Sequence, residues 1–189
     1  MNREICDGLM KEKFYALFGM IGPSVAFSTI GVAIALSPWF SWQRNALSDL
    51  GHATRSGVAP IYNVGLLLAG FFITIYAAIL FRKYAKFTSI SLVVSACLLQ
   101  LVATFDEIYG HLHGAVSVMF FVAIGVTTVI YAIEKRSFLA IVAFIVVLCS
   151  WILYGLKVYS AGVAVPEAVS SLAVTAWLIH SAIGVFSSE

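Results

Sequence analysis

The chain has 189 residues, of which 61% are hydrophobic and 11% charged, with a mean hydropathy of +1.00 and a formal net charge of +2. Soluble domains carry about 25% charged residues, so a water-soluble fold is excluded, and about five to seven spans of roughly 20 apolar residues fill the length with no room for a soluble domain. The eleven Lys and Arg residues sit at the ends of apolar runs rather than along one face, which excludes a nucleic-acid surface.

The first dozen residues mix Glu4, Asp7 and Glu12 with Arg3, Lys11 and Lys13, and the run that follows is too long for a signal-peptide core. A retained first helix over 14–40 is expected. In the connection 41–57, Asn45, Ser48, Asp49 and His52 fall at i, i+3, i+4 and i+7, opposite Ala46, Leu47, Leu50 and Ala53. That spacing predicts a short amphipathic helix in the first outer loop with four polar groups on one face; the same residues also suit a solvated turn capped by Ser48 or Asp49.

Further spans are expected at 58–81, 87–105, 112–133, 138–156 and 164–186, with Asn63 and Gln100 near outer ends, where they could line a cavity or make structural hydrogen bonds. Between the third and fourth spans, Asp106, Glu107, His111 and His113 stand within eight residues without a Lys or Arg. In regular helix the two imidazoles point about 200° apart, whereas in extended chain they share a side. His180 lies deep in the sixth span, where a hydrogen bond to another helix is its expected role. Cys6, Cys97 and Cys149 have no C-x-x-C spacing and read as small apolar packing residues.

The fold expected is therefore all-α, a polytopic six-transmembrane-helix bundle forming one membrane domain over 1–189. Eight basic residues (Arg3, Lys11, Lys13, Arg82, Lys83, Lys86, Lys135, Arg136) fall on one side and three (Arg44, Arg55, Lys157) on the other, which predicts both termini in the cytoplasm. Trp39, Trp42, Tyr154 and Tyr159 mark the opposite interface. Residues able to do chemistry, including Glu167, collect on that outer side, and no Asp, Glu, Lys or Arg is expected within a span.

Gly22-Pro23, Ser48-Asp49-Leu50-Gly51, Ala59-Pro60-Ile61-Tyr62-Asn63-Val64-Gly65, Asp106 and His113-Gly114, in that order and spacing, resemble the domain-of-unknown-function family 998 (DUF998) of small archaeal and bacterial membrane proteins. The resemblance covers nearly the whole chain and implies six helices and no established activity. By it, Ser48, Asp49, Gly51, Asn63, Asp106 and His113 match recurring polar positions, while His52 and His111 are additions. A weaker similarity, Ser48-x-x-x-His52 with Asp106, points to the seven-helix membrane hydrolases that include alkaline ceramidases. This chain departs from them in its six spans and in having only His180 in the last.

The leading functional expectation is a polar site at the extracytoplasmic side of the cell membrane that binds or acts on a lipid-like or small amphiphilic ligand. Asp106, His113, Ser48 and Asp49 are its expected catalytic groups, with Asn45, His52, Asn63, Gln100, Glu107 and His111 around the ligand. Carboxylates and imidazoles can divide acid and base roles or hold Zn²⁺, for which His113, Asp106, His52 and His111 are the candidate ligands of a metal-dependent lipid hydrolase. An accessory module binding a membrane-protein partner or a second copy, and a small-solute transporter, are the alternatives.

Overall fold

The computed structural model describes residues 3–187, with side chains from Gly8 onward. The side chains of Arg3 and Cys6, expected as a topology signal and a packing residue, lie outside the described residues.

Six helices are long and apolar enough to cross a membrane. They are α1 (Arg3–Ala35), α2 (Ala59–Ile75), α3 (Lys86–Thr104), α4 (His111–Lys135), α5 (Phe138–Gly155) and α6 (Ala164–Ser187). α2 runs on through a π turn at Tyr76–Leu80 and a 3-10 turn at Phe81–Lys83. The expected boundaries agree closely except for α1, which begins at Arg3 rather than residue 14 and stops at Ala35 rather than residue 40. Pro38 supplies the reason for the earlier stop: its ring disfavours helical backbone at Ser37.

Each helix packs on its sequence neighbours, and α6 closes on α1. The connections 36–58, 105–110 and 156–163 share one end, the loop end; the start of α1, the end of α6 and two tight turns share the other. Packed side chains fill both halves, with Tyr76, Phe81, Leu92 and Trp177 in the half away from the loops and Leu47, Leu50, Tyr62 and Leu66 beneath them. Around the outside, apolar side chains such as Ile133, Phe138, Phe87 and Val118 are exposed, as a multi-pass membrane protein requires. Cys97 and Cys149 are also exposed, so they sit on the outward faces of α3 and α5 and do not fill the bundle interior as expected.

Small residues set the helix spacing. A Cβ on Gly65 would overlap Thr29, and one on Gly70 would stand 2.6 Å from Gln100 Cγ, so these glycines let α1 and α3 approach α2. Gly65→Ala is expected to destabilise the bundle by about 1 kcal/mol through overpacking. Adding Thr29→Ala should recover most of that loss, and a double mutant no more stable than Gly65→Ala in thermal unfolding would count against this contact.

Candidate functional site

The loop end is a cap stitched by side chain to backbone bonds. The predicted amphipathic helix is instead a single 3-10 turn, Leu47–Gly51, with Leu47, Ser48, Leu50 and Gly51 buried. At three residues per turn, neighbouring side chains diverge by about 120°. Ser48 therefore turns inward, donating to Glu107 Oε1 at 2.7 Å, while Asn45, Asp49 and His52 line a shallow outer depression with Trp39 and Arg55. Asp49 Oδ2 accepts from Asn45 Nδ2 at 2.6 Å and from the Ala46 N–H at 3.0 Å, which fixes the entry to the turn. Asn63 Nδ2 holds its exit by donating to the Gly51 carbonyl at 2.8 Å.

The 105–110 connection locks onto this turn. Asp106 caps Glu107–Tyr109 by accepting from the Ile108 N–H at 2.9 Å, and its other oxygen accepts from the Ala53 N–H at 3.2 Å. Gly110, at φ +52°, then reverses the chain into α4 in a conformation that costs glycine least. His113 is buried in the first turn of α4, and its Nδ1 lies 2.7 Å from the Phe105 carbonyl oxygen. Because a carbonyl only accepts, Nδ1 carries the proton, and a neutral ring leaves Nε2 to accept from Ser117 Oγ at 3.3 Å. The third connection joins through Gly162 N–H to Trp42 O and Ala164 N–H to Asn45 O.

Beneath the cap lies a partly open, mostly apolar cavity of about 110 Å³, lined from α1, α2, α3, α4 and α6 and by Leu47 and Ser48 of the turn. Its lining on α6 runs from Glu167 to Leu178, a depth of about 16 Å at 1.5 Å per residue. Glu167, in the first turn of α6 and 8% exposed, accepts from the buried Leu47 N–H at 2.7 Å through Oε2. A second opening of about 480 Å³ lies between α4, α5 and α6, lined by His113, Val118, Val147 and Trp151 among others. Ser48, Ser117, Phe121 and Glu167 border both spaces, so the cavity and the lateral opening share a wall.

Of the predicted site residues, the fold brings Ser48, Glu107 and His113 together around this wall. Asp49, Asn45, Asn63 and Asp106 hold the cap, His52 is buried beside Thr54, and His111 is exposed. Gln100 takes the second of its two expected roles: it packs over Gly70, and its Nε2 donates to the Ala96 carbonyl at 3.4 Å. His180 also differs, being exposed on α6 without a hydrogen bond among the described residues. Glu167 corrects the expectation that no acidic residue lies within a span. Among the described residues, no group of three or more His, Cys, Asp or Glu side chains is placed to hold a metal ion; of the candidate zinc ligands, Asp106 has both oxygens and His113 its Nδ1 engaged by backbone.

Sequence reasoning singled out neither Glu167 as a site residue nor Ser117. A signal was present: Glu167, Ser170, Ser171, Val174, Thr175 and Leu178 recur at helical spacing and form the cavity face. His180, thirteen residues from Glu167, lies about 220° around the same helix.

Glu107 is held above the ordinary carboxylate range, chiefly by burial and by the neighbouring Asp49 carboxylate, against the lowering effect of the Ser48 hydroxyl. A raised folded-state pKa stabilises the fold fully below the unfolded value, and that contribution disappears as pH rises through the folded one. Difference infrared spectra of wild type against Glu107→Gln should therefore show a protonated carboxyl band persisting above the unfolded glutamate range. Ionisation at or below that range would refute this assignment.

A family model described as protein of unknown function (DUF998) matches residues 20–184. No curated protein and no solved structure gives a significant match.

Proposed function

Since the chain belongs to the DUF998 family of proteins of unknown function, we propose a role from its geometry: it binds a lipid-like, single-chain amphiphile taken sideways from the membrane. The carrying observation is the wall shared by the apolar cavity and the lateral opening at Ser48, Ser117, Phe121 and Glu167. An amphiphile entering between α4 and α5 leaves its head against these polar groups and its tail in the cavity. With about 110 Å³ spread over a depth of about 16 Å, the cavity is narrow, which favours one slender chain over a two-chain lipid.

In this reading the cap lies on the outer side of the plasma membrane and both termini lie in the cytoplasm, which the distribution of Lys and Arg supports. His113 Nε2 is the group best placed to take a proton from a bound head, since it faces Ser117 at the lateral opening. Asp106 and Asp49 serve in this reading as positioning residues for the cap.

The test uses an amphiphile carrying a photoreactive group at its tail end. Cross-links are expected at cavity residues such as Leu99, Ile124 and Leu178. Ala26→Phe, which puts a ring into the cavity, should reduce labelling about tenfold or more while the protein still purifies as a folded bundle. Labels confined to outward residues such as Val118 and Ile133, unchanged by Ala26→Phe, would overturn the reading.

A further inference from the structure

We infer that the amphiphile's head is cationic, a protonated amine, and that Glu167 and Tyr62 recognise it; this rests on the amphiphile-binding reading above. Glu167 and Ser48 lie where the cavity meets the lateral opening, and Ser48 brings Glu107 to the same place. Asp49 is close enough to act on Glu107 electrostatically. No Lys or Arg lines either space, and Arg44, Arg55 and Lys157, the basic residues of the loop end, are all exposed. An anionic head would enter this field unpaired, whereas a cationic one offsets it.

The second observation is independent of the acidic groups. Tyr62 is 5% exposed, lines the cavity and makes no side-chain hydrogen bond among the described residues. Buried hydroxyls are almost always paired, so an unpaired one on a cavity wall marks a place for a ligand's polar atom. Glu167 supplies the charge: Oε2 is engaged by the Leu47 N–H, and Oε1 has no hydrogen-bond partner among the described residues. An ammonium head, which only donates, suits both, because a phenol oxygen and a carboxylate oxygen can each accept. Its apolar chain then continues between Leu66, Leu99 and Ile124 into the cavity.

The experiment measures retention of dodecylamine, 1-dodecanol and dodecanoate by the purified full-length protein at neutral pH, using native mass spectrometry. Dodecylamine is expected to be held most tightly and dodecanoate least. Glu167→Gln keeps an acceptor for Leu47 but removes the charge, and Tyr62→Phe keeps the ring but removes the hydroxyl. Each should weaken dodecylamine retention about tenfold, with dodecanol changed less than about twofold by Glu167→Gln. Equal retention of all three heads, or unchanged amine retention in both variants, overturns the amine assignment while leaving the amphiphile reading standing. Retention of none overturns both. Thermal protection by sodium or calcium chloride alone, lost in Glu167→Gln, would reassign the site to a metal cation and also overturn the amine.

Discussion

Trp177→Ala is expected to cost about 3–5 kcal/mol, the range for deleting a large buried aromatic side chain. Trp177 is fully buried in α6, stacks on Tyr131 of α4 at 4.5 Å, and donates from Nε1 to Thr128 Oγ1 at 3.3 Å. Lipid tails are as apolar as the bundle interior, so the loss comes from vacated packing and the broken interhelical bond rather than from transfer into water. Trp177→Phe keeps much of the stacked area and frees only Thr128, whose hydroxyl still donates to the Ile124 carbonyl at 2.8 Å. It should therefore recover more than half of the loss. Unfolding of both variants in mixed detergent measures this, and a cost below about 1 kcal/mol for the alanine would show that the ring does not join α6 to α4.

Residues such as Trp177 also show where a sequence stops being informative. Six apolar runs of near-bilayer length reveal the spans because each signal extends over some twenty residues; the two ends of α1 differ, its start because helix extends back through the charged residues before the apolar run and its end beside Pro38. Rotation about each helix axis is harder to read, since a span apolar all round has no polar face to orient it. That is why His180, expected inside, lies outside, and why the two roles open to Gln100 could not be told apart before its place over Gly70 was known. The cap was legible as a collection of polar residues but not as a geometry. One 3-10 turn sends Ser48 inward and Asp49 outward, against the stripe that α-helical spacing implies, and the pairing of Asp106 with Ala53 depends on two connections far apart in sequence meeting over the packed α2 and α3.

Glu167 joins the cap to the cavity, and its substitutions separate those two roles. Glu167→Ala leaves the Leu47 N–H buried without an acceptor, an expected loss of about 1–3 kcal/mol. The effect should be local as well as global, because Leu47 opens the turn that carries Ser48, Leu50 and Gly51. Amide exchange across 46–51 is expected to accelerate in Glu167→Ala more than across α3 or α5. Glu167→Gln supplies a carbonyl oxygen of similar reach, so exchange in the turn should return close to wild type although the charge is gone. Glu167→Asp, one methylene shorter, should recover less than the glutamine despite keeping its charge, because reach rather than charge decides whether the turn is held. If alanine leaves exchange at 46–51 unchanged, or aspartate protects the turn better than glutamine, then Glu167 does not anchor the cap through Leu47.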